Sequence, residues 1–289
     1  MIEPRIAVVT PSYAPDLARC RLLTESLQRH ARFDYRHYII VAPPDLHLFR
    51  PLAADRVEVV PTDALLPGWL APPAAHPGAW TGKDGRHIPG WIVQQLSKLA
   101  FARQAVEDVL VLVDSDICFV RAFDRDVFCR EGRVRLFRVP DFHLVEFEPW
   151  YEVADYVLGL RGYVKGLPQP NYVGPLAVWV RDHAVALCRH IEDTMGEPWL
   201  DCLSRIEQFS EYTIYGVFVD QILNGSNRHI RDMRGLCHSY WPSETPDDRQ
   251  LHAFLDKIDP RQIALMVTAR AGVDPDRYRH VVDSIDDPL

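Results

Sequence analysis

Positive charge is scarce in this 289-residue sequence, which has 32 Lys and Arg against 40 Asp and Glu and a formal net charge of −8. Binding to nucleic-acid backbones requires clustered positive charge, so we expect no nucleic-acid partner. Lysine is rarer still, because four of the 32 basic residues are lysines and the other 28 are arginines. Each lysine is therefore conspicuous, and Lys98 is the one that belongs to a candidate site.

Long apolar runs are also missing. Runs such as Val109–Val113 and Leu176–Val180 are much shorter than the ~20 residues of a membrane-spanning helix. The first residues lack the order of charged, apolar and small residues that marks an export signal. The six cysteines form no Cys-x-x-Cys pair, which argues against a zinc ribbon or a redox pair. We therefore expect a cytoplasmic protein with reduced thiols and no membrane span.

The sequence does contain apolar strands that alternate with amphipathic helices. A β-branched run at residues 6–10 predicts a buried parallel strand, and apolar spacing of three and four predicts a helix over 16–32. This alternation is typical of an α/β fold. We see no linker, so we predict a single domain with halves at residues 1–125 and 126–289. The other predicted elements are strands at 37–41, 57–60, 109–113, 134–139 and 176–180, helices at 91–103, 184–194 and 206–223, and peripheral helices from 247 onward.

Residues 67–90 interrupt this alternation. They contain five prolines, five glycines, Trp69 and Trp80, and they show no periodicity. Loops of this length inside a compact domain are usually lids or binding loops. We predict a lid that is mobile without ligand and ordered with it, and a disordered insertion is the alternative.

Two aspartates follow the most apolar strand directly, in Asp114-Ser115-Asp116. The carboxyl end of a buried parallel strand opens at the edge of the sheet where α/β proteins bind ligands. Two carboxylates one residue apart repel each other unless a cation lies between them, and Mg²⁺ and Mn²⁺ prefer such oxygen ligands. The pattern predicts a metal site at Asp114 and Asp116, with a pair of solvated turn aspartates as the alternative.

The helix before this strand has a polar face. Trp91, Gln94, Gln95 and Lys98 are spaced i, i+3, i+4 and i+7, so they share one side of the predicted helix. Amides can hydrogen-bond sugar hydroxyls, and a lysine can neutralise a diphosphate. The pattern favours contact with a ligand that carries hydroxyl or diphosphate groups, and an ordinary solvated face is the alternative.

Three classes of α/β enzyme place carboxylates in this way. Phosphatases of the haloacid-dehalogenase type carry a nucleophilic Asp after their first strand, whereas this motif comes late in the chain. Nucleotidyltransferases usually open with a glycine-rich loop after the first strand, but residues 10–15 contain no glycine. A third class fits the residues better.

The sequence resembles GT-A-type nucleotide-sugar glycosyltransferases. The resemblance runs from about residue 5 to about residue 245. In its sequence pattern, the chain is most similar to a bacterial family known only as a domain of unknown function. It implies a Rossmann-like, mixed and mainly parallel central sheet flanked by helices. Three segments carry the resemblance: Val9-Thr10-Pro11-Ser12-Tyr13, the helix Trp91-Ile92-Val93-Gln94-Gln95-Leu96-Ser97-Lys98-Leu99, and Val113-Asp114-Ser115-Asp116.

The resemblance also implies an activity and its cofactor. We expect a hexosyltransferase-like enzyme that uses a nucleotide-diphosphate sugar, a UDP-sugar as first choice, and Mn²⁺ or Mg²⁺. The acceptor would be a glycan, a lipid-linked molecule or a small molecule. In this interpretation, the side chains that contact the donor are those of Thr10, Pro11, Ser12, Tyr13, Trp91, Gln94, Gln95, Lys98, Asp114 and Ser115.

The second half is expected to supply the acceptor site and the remaining chemistry. Asn171, Tyr172 and Gly174, which precede an apolar strand, are the predicted acceptor contacts. Glu211, at the start of an apolar helix, is the candidate base for an inverting reaction, and a favourable place on the helix dipole is its alternative role.

Asp220 is the second candidate base. The resemblance implies that His238 completes the metal site with Asp114 and Asp116, since many GT-A enzymes use a histidine near the C-terminus. Two other functions stay open: a non-catalytic protein that binds nucleotide sugars or glycans, and a nucleotidyl- or phosphotransferase.

Overall fold

The computed structural model describes residues 3–73 and 79–284. Its strands are β1 Ile6–Pro11, β2 Arg36–Val41, β3 Val57–Pro61, β4 Trp80–Thr81, β5 His87–Ile88, β6 Val109–Val113, β7 Ile117–Phe119, β8 Cys129–Arg130, β9 Arg133–Phe137, β10 Val139–Phe142, β11 Gln169–Asn171, β12 Leu176–Val180, β13 His229–Asp232, β14 Cys237–Tyr240 and β15 Ala264–Val267. Its α-helices are α1 Leu17–His30, α2 Leu46–Phe49, α3 Gly90–Gln104, α4 Glu148–Leu158, α5 Arg181–Met195, α6 Trp199–Leu203, α7 Glu211–Val217, α8 Asp248–Leu255 and α9 Arg279–Ser284. A π-helical turn, Phe218–Ile222, continues α7.

The central sheet has the strand order β12-β6-β1-β2-β3. The pairs β6-β1, β1-β2 and β2-β3 are parallel, and β12 runs antiparallel to β6. All residues of β1 and β6 are buried, which explains why both strands are continuously apolar. The predicted mixed, mainly parallel sheet flanked by helices is confirmed.

Both faces of this sheet are covered. In β1, Ala7 and Val9 pack into the core on the side of α3, α5 and α7, whereas Ile6 and Val8 pack into the core on the side of α1 and the smaller sheets. This alternation follows from the two-residue period of a strand. The first core contains residues from both predicted halves of the chain. Within the described residues, no helix has the length and apolarity that crossing a membrane demands.

The smaller sheets lie beyond the central one and include a strand that sequence patterns missed. One sheet has the order β13-β9-β8 and another has the order β14-β15-β7. The tail was predicted to contain peripheral helices, but Ala264–Val267 forms β15, whose four residues are all buried. A four-residue apolar run has no periodicity that separates a strand from a helix, and only pairing with β14 and β7 fixes it as a strand.

One other expected boundary is corrected. The helix predicted from residue 206 begins at Glu211, because the Ser210 hydroxyl accepts a hydrogen bond from the Thr213 N–H and caps α7 there. Of the predicted lid, residues 74–78 lie outside the described residues. The flanking Leu70 and Trp80 are buried in the main core, and lid closure stays a prediction.

Candidate functional site

The Asp-x-Asp motif forms the turn between β6 and β7, at the carboxyl end of the parallel strands. The Ile117 N–H donates to the Asp114 carbonyl and closes the turn. The Asp114 side chain is 48% exposed, Ser115 is buried, and Asp116 is partly buried. Both carboxylates therefore lie at the edge of the sheet where α/β proteins bind ligands.

Lys98 joins three elements at this edge. Its ammonium group lies 2.9 Å from Asp114 Oδ1, 2.9 Å from Glu211 Oε1 and 2.7 Å from the Tyr212 hydroxyl. The Lys98 side chain is only 4% exposed. Burial alone lowers the pKa of Lys98, but the carboxylates of Asp114 and Glu211 outweigh it and raise this pKa well above its usual value. Lys98 is therefore a fixed cation that ties α3 to the end of β6 and to α7.

Glu211 begins α7 and is held from two sides. Its backbone N–H donates to Gln95 Oε1 at 2.9 Å, which supplies a partner for a helix-end group that has none within the helix. Its carboxylate pairs with Lys98, and the side chain is 3% exposed. Burial raises the pKa of Glu211, and the charge of Lys98 opposes that rise.

The polar face of α3 therefore divides into an inner and an outer part. Gln95 and Lys98 point into the protein and bind Glu211. Trp91 is 43% exposed and Gln94 is partly buried. Gln95 already binds the first N–H of α7, and Trp91 is the most accessible of the four; that all four contact a donor stays a prediction.

Asp16, on the loop after β1, is a site residue that the sequence analysis missed. Its Oδ2 accepts a hydrogen bond from the Ser115 hydroxyl at 3.2 Å, and its Oδ1 pairs with Arg19 at 3.2 Å. Burial raises the pKa of Asp16, and Arg19 opposes this. The rule that ligands bind at strand carboxyl ends points to this loop, but the apolar spacing places Asp16 at the start of the helix that follows.

The Asp116 side chain is held in place by a backbone group from the C-terminal part of the chain. Its Oδ2 accepts a hydrogen bond from the Ala269 N–H at 3.0 Å. Burial is the largest cause that raises the pKa of Asp116 to about 7, and the nearby charges of Asp114 and Asp16 add to the rise. A backbone donor has no sequence signature, so Ala269 could not be identified from sequence.

The site carries more negative than positive charge. Four carboxylates, of Asp16, Asp114, Asp116 and Glu211, face the two cations of Lys98 and Arg19, which leaves −4 + 2 = −2 when all are ionised. A divalent cation would balance this charge and lower the carboxylate pKa values. Asp114 and Asp116 suit Mg²⁺ or Mn²⁺, which often bind one or two carboxylates together with substrate phosphates and water.

The structure does not bring His238 to these carboxylates. His238 lies in β14, its Nε2 is 2.8 Å from the Phe254 carbonyl oxygen, and its ring stacks on the Phe254 ring. Across the described ranges, no three His, Cys, Asp or Glu side chains converge in a way that could hold a metal ion. A metal at Asp114 and Asp116 would therefore complete its shell with substrate and water.

The segment at the end of β1 is mostly interior. Thr10 is buried with its hydroxyl 3.0 Å from His37 Nε2, Pro11 is buried, and the Ser12 N–H donates to the Ile40 carbonyl. Tyr13 is partly buried, and the carboxylates of Asp16 and Asp116 help to raise its pKa, after burial as the main cause. Tyr13 is therefore the member of this group that lies next to the carboxylates.

The three predicted acceptor residues make contacts within the protein. Tyr172 is only 4% exposed, and a Cβ at Gly216 would lie 2.1 Å from its ring. Asn171 Oδ1 accepts a hydrogen bond from the Val173 N–H, and Gly174 lies against the ring of Phe137. These contacts leave Tyr172 no open face for a sugar ring.

Asp220, the second candidate base, is surrounded by donors. It lies 2.6 Å from Arg138, 2.7 Å from Arg231 and 2.7 Å from the Tyr172 hydroxyl. Burial alone raises the pKa of Asp220, but these hydrogen bonds outweigh it and lower the pKa below its usual value. A carboxylate that is held so firmly in its ionised form is a weak base.

Comparison with protein families gives one result. The model of a family described as a family of unknown function (DUF6492) matches residues 6–258. The chain belongs to the DUF6492 family. The comparison with curated proteins found no match. In this DUF6492 member, the matched range contains the Asp-x-Asp turn, Lys98 and Glu211, whereas Ala269 lies beyond it.

Proposed function

We propose that this DUF6492 protein is a metal-dependent glycosyltransferase that uses a nucleotide-diphosphate sugar, with a UDP-sugar as the first candidate. The observation that carries the proposal is the excess of carboxylates at the carboxyl end of β6, where four of them share two buried or half-buried cations. A diphosphate donor needs its own negative charge neutralised, and a carboxylate-bound divalent ion can do this. The GT-A-like segments of the sequence support the same conclusion.

Asp114 and Asp116 would hold Mn²⁺ or Mg²⁺, and the ion would act as a Lewis acid that stabilises charge on the leaving diphosphate. Lys98 holds Asp114 and Glu211 at hydrogen-bond distance and fixes their relative positions. Tyr13, beside Asp16 and Asp116, and the exposed Trp91 at the start of α3 would offer aromatic surface to the nucleotide or the sugar.

Glu211 is the proposed base that accepts the proton of the acceptor hydroxyl. Burial raises its pKa, which makes it a better proton acceptor than Asp220. The acceptor would be a glycan, a lipid-linked molecule or a small molecule. Its hydroxyl would reach Glu211 alongside Asp114, which is the more exposed of the two carboxylates that pair with Lys98.

The direct test is to incubate the protein with UDP- and GDP-sugars, with and without Mn²⁺, and to identify the product. Release of a nucleoside diphosphate that depends on Mn²⁺ and is lost in Asp116→Ala supports the proposal. Release of pyrophosphate or phosphate would instead indicate a nucleotidyl- or phosphotransferase.

A second candidate function is non-catalytic binding of nucleotide sugars or glycans. The observation in its favour is that Glu211 is 3% exposed and already paired with Lys98, as expected for a carboxylate with a structural role. In that case calorimetry would detect metal-dependent binding of UDP or GDP, and no sugar donor would be hydrolysed or transferred.

A further inference from the structure

A second charged region lies on the small sheet formed by β13, β9 and β8. Arg130 pairs with Arg133 across β8 and β9, and Arg135 lies two residues further along β9 on the same face. Asp232 of β13 shares this face, because its neighbour in register, Phe137, is again two residues beyond Arg135. One side of the sheet therefore carries three arginines, while Cys129, Val134 and Leu136 on the opposite side pack into the cores.

Arg130, Arg135 and Asp232 of this face line a cleft of about 180 Å³. That volume has room for roughly six water molecules at ~30 Å³ each, or for one small anion with some water. The charged residues that line the cleft are Arg130, Arg135, Arg231, Arg234, Asp126 and Asp232. Their formal charges sum to 4 − 2 = +2, in a chain whose net charge is −8.

The carboxylates of the cleft neutralise only part of the positive charge of its arginines. Asp232 serves both Arg135 and Arg234, at 3.2 Å and 2.8 Å, so two guanidinium groups share one negative charge. Arg231 is paired outside the cleft, with Asp220. Within the described ranges, the side chain of Arg130 makes no hydrogen bond or ion pair. Arg135 is buried, so its position is fixed before any ligand arrives.

We propose that this cleft is a binding site for a phosphate group, with Arg130 and Arg234 as its principal ligands and Arg135 as its floor. A guanidinium presents several N–H donors in one plane. Two of them can bind two oxygens of the same phosphate group. The phosphate is either the free ion or the phosphoryl group of a larger molecule, such as a sugar phosphate. The cleft shares no residue with the Asp-x-Asp site, so the proposal does not depend on the glycosyltransferase activity.

The test is a calorimetric titration of the full chain with inorganic phosphate at constant ionic strength, with chloride as the balancing anion. We expect saturable binding in the millimolar range or tighter. Arg130→Gln should weaken binding about tenfold or more, because hydrogen bonds to a charged partner are lost. Arg133→Gln is the matched control: it removes the same charge from the same sheet face, but Arg133 pairs with Glu131 and does not line the cleft. It should change the affinity less than about threefold.

Two more arms identify the ligand and exclude the other site. A parallel titration with glucose 1-phosphate separates the two sources, since tighter binding of the ester indicates a phosphorylated molecule and equal or weaker binding indicates the free ion. Asp116→Ala should bind phosphate as the wild type does. Absence of saturable binding, equal losses in Arg130→Gln and Arg133→Gln, or loss in Asp116→Ala would each overturn the proposal.

Discussion

The Asp-x-Asp site and the arginine network around Asp220 and Asp232 show opposite charge balance. At the first, four carboxylates share two cations, and the pKa values of Asp116 and Glu211 are raised, chiefly by burial. At the second, two carboxylates meet four arginines. Hydrogen bonds from Tyr172 to Asp220, and from the arginines to both carboxylates, lower the pKa values of Asp220 and Asp232 in spite of burial.

This difference shows which carboxylates retain capacity for a ligand. A carboxylate held by two guanidinium groups has little to gain from a metal ion or a proton. A buried carboxylate with too few cations gains from either one, because both remove an unfavourable charge. Glu211 and Asp220 are nine residues apart on one continuous helical segment, so their different environments come from the elements packed against them.

The largest effect is expected for Asp116→Ala. The substitution removes one of the two carboxylates that would hold the metal, so metal-dependent binding of UDP or GDP should fall below detection. Calorimetry with each nucleotide and Mn²⁺ measures this. Asp232→Ala, which removes an equal charge from the arginine network, should leave nucleotide binding in place. Unchanged affinity in Asp116→Ala would remove the metal assignment.

Glu211→Gln should retain donor binding and lose about 10²–10⁴-fold in transfer rate, the usual contribution of a general base. The substitution keeps the size of the side chain and removes only its charge. Turnover and melting temperature should be measured together, with Asp220→Asn as the matched variant. Near-normal turnover in Glu211→Gln, with a drop in stability alone, would mean that Glu211 has a structural role. It would then stabilise the fold by pairing with Lys98 or by its position at the start of α7.

Ala269→Pro should weaken metal-dependent nucleotide binding by about 10- to 100-fold, as loss of a supporting hydrogen bond to a ligand does. Proline removes the N–H that binds Asp116, and Ala269 is the first residue of a 3₁₀ turn, where proline fits. The preceding Thr268 has a ψ of 134°, outside the helical region that a following proline disfavours. Ala269→Gly keeps the N–H and serves as the control. Equal affinity in the two variants would show that this bond does not support the site.

Asp220→Asn should affect stability and leave nucleotide binding intact. We expect a loss of about 1–3 kcal/mol near neutral pH, below the usual cost of breaking a fully buried ion pair because Arg231 is half exposed. The folded-state pKa of Asp220 is lowered, so its stabilisation is fully present above the unfolded pKa of about 3.9 and is lost as pH falls through the folded value. Melting curves of both proteins should therefore converge in acid. A constant difference at all pH values would contradict this.

Much of the fold could be read from hydrophobic patterns. The strands of the central sheet and helices α1, α3 and α5 were predicted within a few residues, because long apolar or amphipathic segments leave one way to bury their surface. The short strand β15 and the start of α7 could not be predicted in the same way. The first depends on its pairing with β14 and β7, and the second on a cap at Ser210.

The sequence by itself determined the α/β architecture and the position of Asp114 and Asp116 at the end of β6, since a fully apolar strand must be buried and its end must meet the sheet edge. Tertiary structure alone decided which distant residues contact one another at and around this site. It joined Lys98 to Glu211, 113 residues away in sequence, and Ala269 to Asp116, 153 residues away, and it placed His238 against Phe254. Charge and hydrogen-bond partners depend on distance in space, and local patterns contain no information about contacts this far apart in the chain.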